Sequence, residues 1–202
     1  MIGVSVSKTT IVEASITILN RDGIKGLSMR NISKELGIKA ASLYNHISGK
    51  TELYDEIAEY MSVHFELPEA SLGAEEYLVE AAKSFRSLLL TVRDSVVIFE
   101  DSAPVTPYRL AVIKRFMEKF IELGVCLNHL TTVANMWNNY ILSFTADELR
   151  MKDVTPDDML EFAHMLDMAG DASQMSFPNF DEQFSFGLHL LLAGIRQYNT
   201  LK

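Results

Sequence analysis

Residues 28–50 read SMRNISKELGIKAASLYNHISGK, and this stretch decides how the first part of the chain folds. Ser28 is a favoured N-cap for a short helix, MRNISKEL, and Gly37 ends that helix. A second short helix, AASLYNHI, follows within a few residues and stops at Ser48-Gly49. Two short helices joined by a glycine-containing turn of about four residues have the spacing of a helix-turn-helix.

The apolar residues of these two helices predict which faces are buried. Ile32 and Leu36 are four residues apart, as are Leu43 and Ile47, so each pair lies on one side of its helix. Ile38 lies in the turn and can fill the corner between the helices. The opposite face of the second helix is polar and free of acidic side chains, as a helix that enters the major groove of DNA must be. Its members are Lys39, Ala40, Ser42, Asn45 and His46.

Helical periodicity continues along the whole chain, and strand patterns are scarce. Ser7 or Thr10 can cap a first helix, which Gly23 ends, and a longer helix starts at Lys50 and runs to about residue 66, before Pro68. Further helices are expected at about 74–92, 94–101, 106–123, 127–151, 156–168 and 180–199, with a mobile loop at about 169–180. The sequence therefore predicts an all-α protein in which a three-helix head is joined by a fourth helix to a larger helical body. The expected domains are residues 1–50 and residues 51–202.

The net charge of -9 is distributed unevenly along the 202 residues. Residues 1–50 hold seven Lys and Arg against three Asp and Glu, whereas residues 51–202 hold eleven against twenty-four. A basic head on an acidic body attracts phosphate at one end and repels it elsewhere. Charge alone does not separate this interpretation from chance clustering.

Composition also bears on location. The chain has no stretch of about 18 uncharged apolar residues that could span a membrane. Its first ten residues, MIGVSVSKTT, lack the apolar core of an export signal. The single cysteine, Cys126, suits a reducing compartment. We therefore expect a cytoplasmic protein.

The segment Leu43-Tyr44-Asn45-His46, followed by Lys50 and a long fourth helix, resembles the tetracycline-repressor (TetR) family. The pattern is L-Y-x-H-x-x-x-K after G-[IV]-x-x-x-[ST]. Two later segments, AKSFRSLLLTVRD at 82–94 and FSFGLHLLLAGI at 184–195, resemble more loosely the ligand and dimer helices of the tetracycline repressors proper. The resemblance implies a DNA-binding regulator, a repressor that binds a palindromic operator as a dimer and answers to a small organic ligand.

The resemblance also implies roles for individual residues of the head. It places Arg30 where the family reads a base, Asn45 on the recognition helix, and Tyr44, His46 and Lys50 on backbone phosphates. Arg can bind guanine and Asn adenine through two hydrogen bonds each. Alternatives remain open, because Tyr44 can be partly core, Arg30 can contact phosphate only, and Asn45 can be exposed without touching a base. The full predicted DNA-binding set is Ser28, Arg30, Lys39, Ala40, Ser42, Tyr44, Asn45, His46 and Lys50.

Two helices of the body carry heptad-like seams that pack helix on helix. The seam residues are Leu127, Leu130, Ala134, Trp137, Ile141 and Phe144, and Phe184, Leu188, Leu191, Ile195 and Tyr198. Gly187 and Gly194 lie one heptad apart and would let a partner helix approach closely. We expect a homodimer through about 127–151 and 180–199, whose twofold axis fits half-sites about 34 Å apart. The alternative is that both seams serve only the chain's own core.

The resemblance further implies a ligand pocket among the helices between residues 64 and 144. The predicted lining residues are His64, Phe85, Phe99, Pro104, Met117, Asn135 and Asn138, with Asn139 as a further polar candidate. For any one Phe or Met, ordinary packing in the core is the better interpretation, and for each polar member a place on the surface or behind the lining fits at least as well. By resemblance, Phe99 stands where the tetracycline repressors carry a metal-binding imidazole, and Ala81 where they carry an asparagine that holds the drug. Because Phe cannot ligate magnesium, we expect an apolar or aromatic organic ligand, no metal and no cofactor.

Two rival functions can be weighed on the same sequence. Cys126 and His129 are three residues apart on a predicted helix, but nothing in the sequence orients the histidine, and no oxyanion loop follows, so an enzyme is not expected. The histidines lack the spacing of a zinc site. The second rival is a helical ligand- or partner-binding protein whose helix-turn-helix is incidental. The basic head argues against it, and binding to duplex DNA separates the two.

Overall fold

The computed structural model describes residues 6–152, 154, 155, 157, 158, 161, 165 and 179–200. All long regular elements in these residues are helices, which confirms the predicted all-α fold. The helices are α1 Lys8–Asp22, α2 Met29–Glu35, α3 Ala40–Tyr44, α4 Lys50–Val63, α5 Ala74–Leu90, α6 Ser95–Asp101, α7 Pro107–Glu122, α8 Leu127–Met151 and α9 Phe180–Thr200. The predicted helix at about 156–168 and the predicted loop at 169–180 lie largely outside the described residues. No helix in the described part of the chain is both long and apolar enough to cross a membrane.

The head is built from α1, α2 and α3 around a small apolar core. Ser7 caps α1 in a reciprocal pair with Thr10, and α1 ends at Gly23, whose φ of 72° suits glycine. Ile32, Leu43 and Ile47 are fully buried, as their spacing predicts. The second short helix ends at Tyr44 rather than near residue 47, because the chain there turns back toward the start of α4.

The connecting helix α4 ends at Val63, three residues before the predicted end. The chain leaves the helix because Phe65 turns into the body, where it is 6% exposed and packs in one cluster with Tyr77 and Ala81. Along its length α4 packs against α1 on one side and against α6 and α7 on the other. It therefore belongs to the packing of both the head and the body.

An ion-pair cluster around a buried arginine joins α5, α8 and α9 in the body. The Arg86 guanidinium, with 8% of its side chain exposed, donates to both carboxylate oxygens of Glu148 at 2.7 and 2.8 Å. It also donates to Asp181 at 2.7 Å. Rings of Phe144 and Phe184 lie beside the guanidinium, at 5.7 and 5.1 Å. Because its planar guanidinium donates to Glu148 of α8 and to Asp181 of α9, Arg86 fixes the start of α9 against α8.

The two predicted seams pack inside the protein chain rather than facing outward. Apart from Leu127, which is 74% exposed, every seam residue is buried or half-buried in the single chain. Gly187 also faces its own chain, since a Cβ atom there would collide with the Tyr140 ring and hydroxyl. The expectation that Gly187 admits a partner helix is therefore wrong, and the alternative of an intrachain seam describes these residues. At Gly194, by contrast, an added side chain would meet no described atom within 4 Å.

Candidate DNA interface and ligand cavity

Seven of the nine predicted DNA-binding residues are exposed in the head. Tyr44 is 54% exposed, which rules out a core position for its ring in this chain. Asn45 and Arg30 are also exposed, whereas Ser42 and His46 are half-buried. Ser28 caps α2 by accepting from the Asn31 backbone N–H at 3.2 Å. The other exposed members are Lys39, Ala40 and Lys50.

The turn between α3 and α4 is held by a carboxylate that the sequence analysis did not single out. Glu52 accepts from the Ser48 backbone N–H and hydroxyl, both at 2.7 Å, and from the Lys8 ammonium at 2.8 Å. The Lys8 ammonium and the Ser48 donors together lower the pKa of Glu52 to about 2. The arrangement fixes the turn that carries Lys50, whose ammonium lies 4.9 Å from the Tyr54 ring centroid. The sequence carried one signal for this contact, a Ser four residues before a Glu at the start of a helix.

A cavity of about 630 Å³ lies in the body. Its walls come from the end of α4, from α5, α6, α7 and α8, and from the loop before α7. Of the seven predicted lining residues, six do line it. They are Phe85, Phe99, Pro104, Met117, Asn135 and Asn138. Asn139 lines it too, and the three asparagines are exposed, so they lie on its open side.

Aromatic rings form much of the cavity wall. The Phe85 ring meets that of Phe65 at 5.7 Å and that of Phe99 at 5.1 Å, both edge to face. Deeper in the body, Trp137 packs edge to face on Phe120 at 5.8 Å. The volume and the aromatic lining suit a drug-sized organic molecule. Within the described residues, no group of three His, Cys, Asp or Glu side chains could hold a metal ion.

His64 does not line the cavity, so its predicted place there is wrong. Its side chain is exposed, and its Nδ1 lies 2.8 Å from the Tyr60 carbonyl oxygen one turn earlier. Its ring also packs on the Tyr60 ring at 4.7 Å. The cause is the early end of α4, because the turn that brings Phe65 inward leaves His64 on the outside.

The cavity contains a buried arginine that the sequence analysis missed. Arg109 lines the wall and is 7% exposed. Its Nη1 donates to the Ser102 hydroxyl at 2.9 Å and to the Ala103 carbonyl at 3.0 Å, and its guanidinium lies 5.2 Å from the Phe99 ring centroid. Helical spacing was the available signal, because Arg109 precedes Ile113 by one turn on the face of α7 that lines the cavity.

Two acidic residues of α4 hold the cavity wall. Asp55 accepts from the Ala103 backbone N–H at 2.8 Å. Glu59 accepts from the backbone N–H groups of Tyr108 and Arg109 at 2.8 and 3.2 Å, and from the Thr106 hydroxyl. Burial raises the pKa of Glu59, but these hydrogen bonds outweigh it, and the pKa lies below its ordinary value. The connecting helix is therefore fixed directly to the loop that precedes α7.

A second joint links the end of α1 to the turn between α5 and α6. Asp94 accepts from the Ile24 backbone N–H at 2.6 Å, and the Asn20 side chain accepts from the Arg93 backbone N–H at 2.9 Å. Asp94 adopts a left-handed conformation, with φ of 59°, which a non-glycine residue takes only where its surroundings hold it. Head and body thus meet at two places.

The outward face of α9 is apolar. Phe186 and Leu190 are 66% and 57% exposed, and Ala193 and Gly194 follow on the same side of the helix. We call these four residues the α9 outer stripe. Exposed apolar residues in one row on a helix are typical of a surface that meets another helix.

Comparison with known proteins places the chain in a family. Residues 11–57 match the family model of bacterial regulatory proteins, tetR family, and residues 68–198 match that of the tetracyclin repressor-like C-terminal domain. The class A tetracycline repressor from transposon 1721 of Escherichia coli is 30% identical over 131 residues, covering 62% of this chain and 61% of the repressor. The class G repressor of Vibrio anguillarum is 25% identical over 202 residues, covering 94% of this chain and 93% of the repressor. The chain thus spans about three-fifths of the class A relative, and 46% of the class D repressor of Escherichia coli.

Solved structures show the same fold. Apo ActR from Streptomyces coelicolor superimposes with a TM-score of 0.84 at 23% identity, covering 96% of each chain. BioQ in complex with its natural double-stranded DNA operator gives 0.73 at 23% identity, covering 95% of this chain and 99% of BioQ. Several matching curated relatives are named as repressors, and the matching N-terminal family model is that of bacterial regulatory proteins. With the larger of the two family models covering well over half of its residues, the chain belongs to the tetR family of bacterial regulatory proteins.

Proposed function

We propose that this protein is a transcriptional repressor that binds a palindromic DNA operator as a homodimer and responds to a small organic ligand in the cavity of its body. The observation that carries the proposal is the exposed, acid-free surface of α3 and its flanking turns in a chain of this family. Residues 1–50 act as the DNA-binding domain, and residues 51–202 act as the ligand-binding and dimerisation domain.

Each residue of the DNA surface has a role that its chemistry supports. Arg30 and Asn45 read base edges, because Arg pairs with guanine and Asn with adenine in the major groove. Tyr44, His46 and Lys50 bind backbone phosphates. The remaining members, Ser28, Lys39, Ala40 and Ser42, flank these contacts. BioQ, which shares the fold, is known in complex with a double-stranded operator.

The dimer forms through α8 and α9, with the α9 outer stripe as its apolar centre. Removing Phe186 and Leu190 from water in two copies supplies a driving force without disturbing the core of either protomer. Gly194 lies in the stripe with open space above it, so a partner helix can approach there. The twofold axis sets the spacing of the two DNA surfaces.

Ligand binding changes operator affinity through α4. A ligand shifts the protein between two states only by the difference between its affinities for them. The cavity wall between Ser102 and Arg109 is the part of the site fixed to α4, through Asp55 and Glu59. A ligand that displaces this wall therefore moves the helix that carries the head.

The ligand is an apolar or aromatic organic molecule rather than a magnesium–tetracycline chelate. Phe99 offers no metal ligand, and Ala81 is buried beside Phe65 with no polar group for a drug. Relatives in fold bind varied molecules, since ActR is known with actinorhodin and a TetR variant of Acinetobacter baumannii with minocycline. Trp137, the only tryptophan, reports on the cavity, so magnesium-dependent quenching by tetracycline that also releases operator DNA would overturn this part.

The experiment is a gel-shift assay with the full chain on duplexes selected from a random library, at two salt concentrations. We expect saturable binding of selected duplexes. Binding should weaken as the salt concentration rises, because the protein must displace cations condensed on the DNA phosphates, and added salt opposes their release. If the protein binds ligands in its cavity but binds no duplex, the alternative is favoured, namely a helical ligand- or partner-binding protein with an incidental helix-turn-helix.

A further inference from the structure

A buried charged group lies in a cavity wall made mostly of apolar, aromatic and amide side chains. The Arg109 guanidinium is buried in the wall, and its charge persists because arginine does not deprotonate in proteins. Burial lowers the pKa of Arg109, while the charges of Asp55 and Glu59 oppose that effect. A charge in such a place is costly unless it is paired.

The pairing that the chain itself provides is incomplete. Arginine carries five N–H donors, and among the described residues only Ser102 and Ala103 accept from this side chain, both through Nη1. None of the ion pairs formed by the described residues involves Arg109. Arg86 provides a contrast in the same body, since two carboxylates satisfy its guanidinium.

The nearby acidic residues do not hydrogen bond to the Arg109 guanidinium. Asp55 and Glu59 accept backbone N–H groups of the loop before α7, so they balance the charge of Arg109 without hydrogen bonding to its guanidinium. Glu100 is the one carboxylate in the cavity lining, and its side chain is exposed.

A second donor in the cavity lining also has no acceptor. Trp137 is 2% exposed, and its indole N–H is buried without a hydrogen-bond partner among the described residues. Indole nitrogen is a donor only. The N–H groups of Arg109 that have no acceptor in the described part of the chain are therefore the donors that a molecule bound in the cavity can satisfy with oxygen atoms.

We infer that the cavity binds an aromatic organic anion, of the class of polycyclic aromatic carboxylates, with its carboxylate on the Arg109 guanidinium and its rings among Phe85, Phe99 and Phe116. This inference rests on the ligand site of the proposed function and names its ligand class. Arg matches a carboxylate with two parallel hydrogen bonds, and the low dielectric of the cavity strengthens them. The cavity of about 630 Å³ has room for several fused rings beyond the charged group.

The test uses two probes that differ only in charge, anthracene-9-carboxylate and its neutral methyl ester. Each is titrated into the full-length protein, and binding is measured by Trp137 fluorescence and by calorimetry. The wild type is compared with Arg109→Gln, which keeps a donor but loses the charge, and with Arg109→Lys, which keeps the charge. Arg115→Gln on the same helix is the matched control, since Arg115 is exposed and does not line the cavity.

We expect the wild type and Arg115→Gln to bind the carboxylate about 10-fold or more tightly than the ester. Arg109→Gln should abolish this preference while its affinity for the ester stays within about twofold of wild type. Arg109→Lys should keep part of the preference. A purely structural arginine would instead weaken both probes alike, because loss of the Ser102 and Ala103 contacts would deform the whole wall.

Equal affinity for the two probes in the wild type would overturn the inference, as would a preference that survives in Arg109→Gln or an absence of saturable binding by either probe. The gel-shift assay is run on the same variants to separate this result from the proposed function. If the protein binds selected duplexes but does not prefer the carboxylate probe, the proposed regulator function stands and only the ligand class is refuted. If the protein prefers the carboxylate probe but does not bind DNA, the ligand class stands and the proposed regulator function is refuted.

Discussion

At the scale of single residues, the proposed DNA surface of the head consists of polar side chains that the apolar core does not take in. Ile32, Leu43 and Ile47 take up the interior, so the polar residues between them have no core to join and remain on the surface. Lys50 and Asn45 are exposed, and none of the ion pairs formed by the described residues involves Lys50. The Lys50 ammonium lies beside the Tyr54 ring, from which it can turn to a phosphate as proposed.

Replacing Lys50 by Ala should weaken binding to all duplexes about equally. Loss of one phosphate contact also lowers the dependence of log K on log salt by about one unit of slope. Lys114→Ala is the matched control, because Lys114 is an exposed lysine of α7 in the body and its substitution should leave the slope unchanged. Fluorescence anisotropy with a selected duplex at several salt concentrations measures both quantities, and an unchanged slope in Lys50→Ala would exclude the phosphate contact.

Glu52 should make the stability of the protein depend on acid pH. Its folded pKa of about 2 lies below the ordinary value of 4.5, so ionised Glu52 stabilises the folded state above about pH 4.5, and this contribution is lost as pH falls toward 2. The free energy of unfolding of wild type should thus exceed that of Glu52→Gln at pH 6, with the difference shrinking between pH 4.5 and 2. Urea unfolding at a series of pH values checks this, and a difference that stays constant with pH would refute it.

At the scale of elements, α4 connects the two functions. Its first turn shapes the DNA-binding turn through Glu52, and its later turns hold the cavity wall through Asp55 and Glu59. Asp94 adds a second joint at the end of α1. Because each joint consists of directional hydrogen bonds to backbone N–H groups, we expect movement of the cavity wall to shift α4 and, through it, the head.

Glu59→Ala should destabilise the protein by about 1.5–3 kcal/mol, the usual contribution of hydrogen bonds to a charged group. The variant leaves the first backbone N–H groups of α7 and the Thr106 hydroxyl without their acceptor. Glu118→Ala on the exposed face of α7 is the control and should change stability by less than about 0.5 kcal/mol. Urea unfolding of both variants decides the matter, and similar values for the two would show that the joint contributes little.

Element boundaries and contacts show where sequence reasoning succeeds and where it fails. Ser7, Gly23 and the spacing of Ile32 and Leu36 act locally, so the caps and faces of the head could be predicted from short patterns. The early end of α4 could not, because it depends on Phe65 finding a tertiary partner in Tyr77. Propensity sets where a helix can run, but packing decides where it stops.

The cavity shows the same division. Resemblance identified Phe85 and Phe99 as lining residues, and the geometry agrees. It misplaced His64, whose position changes with the end of α4, and it was silent on Arg109, which only the packing of α7 turns inward. Likewise, a heptad spacing does not say whether a seam meets its own chain or a partner, and Tyr140 decides this for Gly187.

At the scale of the whole molecule, charge and apolar surface are separated. The basic part of the chain carries the proposed DNA surface, whereas the acidic body is expected to repel phosphate. The α9 outer stripe lies in that body, apart from the DNA surface in sequence. A substitution in the stripe can therefore disturb the proposed dimer without altering any residue of the proposed DNA surface.

Leu190→Glu should convert the dimer to a folded monomer. Leu190 is 57% exposed in the single chain, so the charge is tolerated there but not in an apolar interface between two copies. Gly194→Trp should have the same effect by blocking close approach. Ile121→Glu is the control, since Ile121 is 46% exposed on α7 and lies outside the stripe. Sedimentation velocity at micromolar concentration distinguishes the species, and a monomeric wild type would contradict the proposed dimer.

The most direct measurement of the central claim compares the duplexes selected by the wild type with those selected by Asn45→Ala. We expect the wild type to enrich one palindromic sequence. We expect Asn45→Ala to bind the same operator with the preference at one base step reduced by about 1–3 kcal/mol, because one bidentate contact to a base is lost. If the wild type enriches no sequence, or if Asn45→Ala and Lys50→Ala bind the selected operator as tightly and as selectively as the wild type, the assignment of α3 and its flanking turns as the DNA-reading surface is wrong.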